Sequence, residues 1–431
     1  MLGKIDFNQR EATVIGAGIS GLLIADTLDR LGFSVTLYEQ NTRAGGLIET
    51  KHTEYGISEA AAHSFLVTPP VLKLCERLGV SLEPVKKDSK ARYILRRGML
   101  RRFPLSLGET IRTFFRAYFV PASRGQSKET FTLEAYAKKF LGQAALDYLI
   151  TPMVKGIYGA KPSELLVNYA FPKLWLPPGQ SLLSQLLHRK FHARPGPGKS
   201  LGMMAPRGGM GELVSKLESD LQVRLGDRFK RGQKIETLPI VPNLVLAITA
   251  SDAAKMLEVV DFDLSRALSK VEYAPLISVT TFVDKKSLPN SIRGVGVLMP
   301  TLEQRKVLGI LFNSSSFSDR VKDEEHYVSL TTMVGGSENP QALELSDAEI
   351  KDLVNEELRL LFGKDLKAVS SLIYRWPRAV PKYDQRLIES WRVAERGFCA
   401  SPGKILFGNY TGQVSIRGLI ETCDELFTLN K

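Results

Sequence analysis

Cysteine is scarce in this chain of 431 residues. Cys75, Cys399 and Cys423 are odd in number, lie far apart and form no CxxC pair. That spacing excludes a disulfide framework and a thiolate zinc site, and it suits a reducing compartment. Histidine is scarce too, with five residues. His188 and His192 stand one helical turn apart in HRKFH, but Arg189 holds the place of a zincin glutamate, so no metal centre is expected. Long apolar runs are missing, and none approaches the ~18 residues from which a membrane-crossing helix is read. The opening MLGKIDFNQREATVIG has no apolar stretch of signal-peptide type. The expectation is a cytoplasmic protein that meets a membrane, if at all, by lying on it. Acid is in deficit: 46 Asp and Glu face 58 Lys and Arg, a net charge of +12. Such a balance calls for an acidic partner, but no nucleic-acid-binding module accompanies it. No catalytic triad or paired acid–base motif is legible either, so no protein base is named.

The chain has ample apolar material, at 44% hydrophobic residues, and a length that predicts two or three domains. ATVIG (12–16) has a short buried-strand pattern and runs into GAGISG, with Gly16, Gly18 and Gly21 at GxGxxG spacing. Ile19, Leu22, Leu23, Leu28 and Leu31 then recur at helical spacing, and SVTLYE (34–39) predicts a second strand closing on Glu39. Gly16 permits the tight turn, Gly18 lets backbone approach a pyrophosphate, and Gly21 allows close helix–strand packing. The helix N-terminus offers N–H groups to phosphate, and Glu39 can accept from ribose hydroxyls. Arg43 and the pair Gly45–Gly46 follow at once in NTRAGGLIET. A second glycine approach beside the ribose points to FAD more than to a nicotinamide. Near the other end, FGNYTGQVSIRG (407–418) is a further glycine turn feeding a helix, with Gly408 and Gly412 in the turn and Ile416, Leu419 and Ile420 on the inner face.

These segments, with TPMVKGIYGAKPSELLVNYAFPKLW (151–175), PRGGMGELVSKL (206–217), LGILFNSSSFSDR (308–320) and YRWPRAVPKYDQRL (374–387), resemble the protoporphyrinogen oxidase family. That family is FAD-dependent and related to monoamine oxidases, and the resemblance runs along almost the whole chain. It implies an α/β fold: a Rossmann-like FAD-binding domain, an interleaved mixed-sheet substrate domain and a helical membrane-facing domain. The FAD domain would be assembled from 1–85, 200–268 and 376–431, with the helical domain at 86–199 and the substrate strands at 269–375. By matching position, Gly16, Gly18, Ile19, Ser20, Gly21, Glu39, Gln40, Arg43, Gly45 and Gly46 would hold the adenine half of a noncovalent FAD. The strand around Phe229 would meet the adenine through its backbone. His63, Ser64, Trp376, Val414, Ser415 and Ile416 would lie near the flavin. Arg92 would pair with a substrate propionate, while Gly156 and Phe317 would line an apolar slot for the macrocycle. The sequence departs from the family at AAH (61–63), where a Gly-Pro pair is usual, and at GAK in GIYGAKP, where AGD is usual.

The implied reaction removes six electrons and six protons from protoporphyrinogen IX by hydride transfer to the flavin, which oxygen or another acceptor reoxidises. Coproporphyrinogen oxidation, a flavin amine oxidase and a non-catalytic FAD-binding protein are the alternatives, and a homodimer is left open. One further segment stands out. Residues 86–139 carry fourteen Lys or Arg against four Asp or Glu, and Leu107, Ile111, Phe114, Phe115, Tyr118 and Phe119 lie among the arginines. A basic amphipathic stretch with aromatics predicts contact with an anionic membrane surface. The alternative is a core helix with a basic outer face. HARPGPGKS (192–200) ends like a phosphate loop, but it lacks the first glycine and a preceding strand, and it is set aside.

Overall fold

Two sheets organise the chain, and the computed structural model describes all residues except 124, 126, 193–199, 289–291 and 430–431. HARPGPGKS therefore falls almost wholly outside the described residues, as do the side chains of His188 and His192. The first sheet has five parallel strands in the order Phe229–Lys230, Ser34–Tyr38, Glu11–Ile15, Asn243–Leu246 and Lys404–Leu406. A parallel sheet is covered on both faces, which is why apolar residues stand on both sides of these strands. Their residues alternate between two cores. Val14, Val35, Leu37 and Val245 pack with the helices Ile19–Arg30, Met210–Leu225 and Ile416–Leu429. Leu244 and Leu246 face the other way, toward Ala250–Leu257, Phe262–Ser269 and Gln385–Arg396. Three distant segments of chain thus build one sheet, and the ends are tied together: the Met1 amine donates to Thr411 O at 3.1 Å.

The second sheet has seven strands in the order Ala368–Pro381, Tyr273–Asp284, Tyr327–Gly335, Val307–Phe312, Gly296–Leu298, Arg92–Arg96 and Met99–Arg101. Its neighbours are antiparallel except for Gly296–Leu298 beside Arg92–Arg96. One face carries Ile277, Val279, Val283, Leu330, Ile310, Val297 and Leu95, packed under the helix Asp347–Phe362 through Ile350, Val354 and Leu358. Side chains alternate across a strand, so the residues between these point to the opposite face.

Two boundaries differ from the sequence expectation. Residues 92–101 were expected within the helical segment, yet they form a hairpin on the edge of the second sheet. The period-two alternation of ARYILR and the turn at Arg97 (φ 52°) and Gly98 (φ 71°) account for it, because a two-residue hairpin turn with both φ positive matches the twist of its strands. The last long strand also runs to Pro381, so Trp376 belongs to the second sheet rather than to a returning FAD segment.

Between the sheets the helices Leu133–Phe140 and Thr151–Tyr158 bury Leu133, Tyr136, Phe140, Val154 and Tyr158. The helix Leu107–Phe119 begins with a capping box in which Ser106 and Glu109 satisfy each other's backbone. It turns its apolar set outward: Leu107 is 78% exposed, Phe114 59% and Phe119 64%, and among its residues only Ala117 is buried. Among the described residues no helix is long and apolar enough to cross a membrane.

Candidate active site

The dinucleotide end forms where the strand Glu11–Ile15 turns into its helix. A methyl on Gly21 would lie 1.7 Å from Gly16 O, and one on Gly16 would lie 2.7 Å from Ala247 O. Both glycines are required by close packing. Gly18 differs: its φ of −63° suits any residue, and the nearest atom to a methyl there is Gly46 Cα at 3.9 Å. Only an outside group approaching the backbone needs that space, which fits a pyrophosphate at the helix N-terminus. The second glycine pair sits directly against the first, with Gly45 N donating to Ala17 O at 2.8 Å. Ser20 is buried, Ile19 half-buried beside it, and Gln40 exposed at the strand end.

Glu39 is buried. Its Oε2 accepts from Ala17 N at 2.8 Å, and its Oε1 accepts from Asn41 N and Nδ2, both at 2.9 Å. Three of the roughly four acceptor positions of a carboxylate are filled, and one is left open. Arg43 donates to the carbonyls of Ala44 (3.0 Å), Ile48 (2.9 Å) and Gly46 (2.6 Å). It thereby pins the second glycine turn. Phe229 contributes its backbone to the strand beside Leu37 and buries its ring in the core.

The other end of the site lies where the two sheets meet. Trp376 Nε1 donates to Ala60 O at 2.7 Å, holding the 60–64 turn against the second sheet. His63 is half-buried, but its Nε2 is enclosed and has no hydrogen-bond partner among the described residues. Burial pushes its imidazole down to about 3, and the Arg320 charge adds to this, so His63 is neutral. Ser64 is half-buried next to it. Glu59, just before the turn, is buried with Arg320 at 3.3 Å and accepts from Met210 N at 2.7 Å and the Thr50 hydroxyl at 2.6 Å. Burial raises its carboxyl to about 7 against the pull of those partners. The Arg320 guanidinium lies 5.0 Å from the ring of Phe317, which is buried beneath it. The sequence reading missed this Glu59–Arg320 pair, since its members are 261 residues apart and belong to no motif. At the final helix, Ser415 Oγ accepts from Gly418 N at 3.1 Å and starts the helix after the Gly412 turn (φ 100°). Val414 packs against the second core and Ile416 against the first, so this turn straddles both.

The face of the seven-stranded sheet opposite the helix Asp347–Phe362 joins these parts, with Ser278, Thr280 and Thr331 buried along it. Register places Tyr374, Ser278, Met333, Gly309, Leu298, Ile94 and Arg101 in one row across it. Trp376 and Leu276 lie just above, and Thr280, Thr331, Leu311, Gly296 and Arg92 in the row below. Leu276, Met333, Leu311, Leu298 and Ile94 are only half-buried, which makes an apolar strip. The helix Thr151–Tyr158 flanks it: a methyl on Gly156 would fall 2.7 Å from Leu298 Cδ2, so glycine there sets how closely the helix approaches. Asn313 flanks the other side, donating to Thr331 Oγ1 at 2.8 Å and Ser329 Oγ at 3.1 Å. Arg92 is exposed at the far end and has no carboxylate partner among the described residues. Trp376 and Arg92 thus share a face while lying five strands apart, roughly 24 Å at about 4.8 Å per strand. The signal for this strip was the alternation in the strands, which marks a two-faced sheet without saying what covers the second face.

Comparison with known proteins gives the family. A family described as flavin containing amine oxidoreductase matches residues 19–238 and 241–423. Protoporphyrinogen oxidase 2, chloroplastic/mitochondrial, of Arabidopsis thaliana is 27% identical, over 94% of this chain and 91% of that protein. Protoporphyrinogen oxidase of Homo sapiens is 26% identical, over 76% of this chain and 78% of that protein. The solved structure of cyclohexylamine oxidase from Brevibacterium oxydans IH-35A superposes with a TM-score of 0.69 at 14% identity, covering 98% of each chain. That likeness shows a shared fold. The chain therefore belongs to the flavin containing amine oxidoreductase family and is an FAD-dependent oxidoreductase.

Proposed function

We propose that the protein oxidises protoporphyrinogen IX to protoporphyrin IX. The observation that carries this reading is the apolar strip between Trp376 and the free guanidinium of Arg92. It offers a flat greasy surface to a macrocycle and a cation to a propionate at its rim. The names of the relatives support the same substrate. When bound, FAD supplies the oxidant, accepting six electrons in three two-electron steps and passing them to oxygen or another acceptor.

The chain's own residues then bind, orient and keep water away. Gly16, Gly18, Gly45 and Gly46 form the cradle for the pyrophosphate, and Glu39 fixes the ribose. Trp376 holds the 60–64 turn, and with it the flavin end of the site. Leu276, Met333, Leu311 and Leu298 hold the ring against the sheet, and Gly156 sets the width of the slot. Neutral His63 adds no positive charge beside the reacting methylene. The three cysteines are buried within the hydrophobic cores, with their thiols raised by burial, which supports FAD held without a bond to cysteine. The outward aromatic face of Leu107–Phe119, set among arginines, serves to dock the protein on an anionic membrane.

The test is direct. Purified protein incubated anaerobically prepared protoporphyrinogen IX, then exposed to air, should produce porphyrin fluorescence well above autoxidation. Fluorescence no faster than the blank, from protein that carries FAD, refutes the reading. Faster oxidation of coproporphyrinogen III would transfer it to that substrate.

A further inference from the structure

We propose that Arg101 is a second carboxylate-binding residue, which works with Arg92 to grip two carboxylates on one edge of the macrocycle. This rests on the porphyrinogen reading and narrows it to a substrate with two carboxylates on the same side. Three arginines point to the site face from the edge hairpin: Arg92, Arg96 and, opposite Ile94, Arg101. They are not equivalent. Arg96 is already neutralised, because it donates to Glu109 Oε2 and Oε1 at 2.7 and 2.8 Å. Its guanidinium also lies 4.2 Å from the Tyr148 ring. Arg92 and Arg101 are exposed and have no carboxylate among the described residues; the one polar contact of Arg101 is Met99 Sδ at 3.7 Å.

The register fixes the geometry of the pair. Ile94 is directly opposite Arg101, so Arg92 is its diagonal neighbour on the same face, about 7–8 Å away. Two long guanidinium side chains at that spacing can each take one carboxylate in a paired hydrogen bond. The rest of the strip argues for selectivity. Leu276, Met333, Leu311, Leu298 and Ile94 offer no cation. At the inner end Arg320 is buried and faces Glu59 at 3.3 Å, so a carboxylate at that edge of the ring would lose its water without meeting an exposed guanidinium. Two carboxylates on the outer edge and an apolar inner edge match this surface, and four carboxylates distributed around the ring do not.

The same free charge could instead meet a lipid phosphate, since the helix Leu107–Phe119 begins six residues after Arg101. Binding to the FAD-loaded protein separates the two. Protoporphyrin IX and its dimethyl ester would be titrated by fluorescence against wild type, Arg92→Gln, Arg101→Gln and the double variant. Each single variant should bind the free acid roughly tenfold more weakly, with ester binding unchanged, and the double variant should bind acid and ester alike. Wild type should also prefer protoporphyrin IX to coproporphyrin III. Wild-type affinity for the acid in Arg101→Gln overturns the proposal, and so does equal loss of acid and ester or a preference for the four-carboxylate porphyrin. Weaker flotation of Arg101→Gln with anionic vesicles, at unchanged porphyrin affinity, assigns the residue to lipid and also overturns it. If wild type binds neither acid, the porphyrinogen reading falls as well; an inert Arg101 beside a responsive Arg92 removes this inference alone.

Discussion

Two alanine substitutions in one glycine turn should fail in opposite ways. At Gly21 the added methyl would stand 1.7 Å from Gly16 O, a distance no side chain can occupy, so the opening helix must move relative to the strand. Alanine gains about 1 kcal/mol of helix propensity over glycine, which offsets little of this. Overpacking a close contact costs about 1–3 kcal/mol, occasionally more, and this contact lies in the main core. Gly21→Ala should therefore lower the thermal stability of the FAD-free protein. At Gly18 the nearest atom would be 3.9 Å away and φ is −63°, so the polypeptide accepts the methyl without strain. The FAD-free Gly18→Ala protein should melt within about 0.5 kcal/mol of wild type, as a surface substitution does. In the proposed site the methyl then occupies the approach of the pyrophosphate. Losing one or two charge-assisted hydrogen bonds from backbone N–H groups corresponds to roughly ten- to hundredfold weaker FAD binding. Melting of the apoproteins and titration with FAD, followed by flavin fluorescence, measure both. A Gly18→Ala protein with wild-type FAD affinity refutes the reasoning, as does one that melts as low as Gly21→Ala.

Other outcomes follow from the same geometry. The carboxyl of Glu59 is raised from 4.5 to about 7 in the folded protein, so its share of stability is complete below about pH 4.5 and is lost as pH rises through about 7. The loss is on the order of 3 kcal/mol, and melting curves of wild type should fall across that window relative to Glu59→Gln; parallel curves would exclude a titrating Glu59. Arg92→Ala should raise KM roughly tenfold, lower kcat less and leave FAD content unchanged, because the proposed binding mode puts its guanidinium at the rim of the macrocycle and away from the reacting carbon. Changing Phe114 and Phe115 together to Ser should leave folding intact, since both are more than half exposed, and should abolish flotation with anionic vesicles. Denaturation of the yellow protein should release intact FAD into the supernatant, and flavin retained by the precipitated chain would contradict noncovalent binding.

The cofactor end of this protein is local in the sequence. A strand, three glycines at fixed spacing, an amphipathic helix and a closing acid lie within 39 residues. Each has its own steric reason, so the pattern and the site are nearly the same object. Gly21 and Gly16 show this most clearly: their spacing in the chain is the packing distance of the helix on the strand. The alternation of ARYILR and the turn at Arg97–Gly98 carry the edge hairpin, whereas the organisation implied by the family resemblance placed 86–199 in the helical part as one block. The outward set of Leu107–Phe119 was legible as amphipathic, but periodicity alone could not decide whether that face meets a core or the outside.

The proposed substrate end depends on long-range pairing. Trp376 and Arg92 are 284 residues apart, and only strand register puts them on one face. The row from Tyr374 to Arg101 draws residues from six segments of chain, each unremarkable by itself. The Glu59–Arg320 pair likewise joins two short stretches that no spacing rule connects. What the sequence determined alone was the fold class, the dinucleotide turn and the charge of the edge, because these depend on neighbours a few residues away. Which arginine is neutralised and which is free, and what shape lies between them and the flavin end, was decided by tertiary structure, because strand order and register set those distances and they are encoded only in the sum of contacts across the whole sheet.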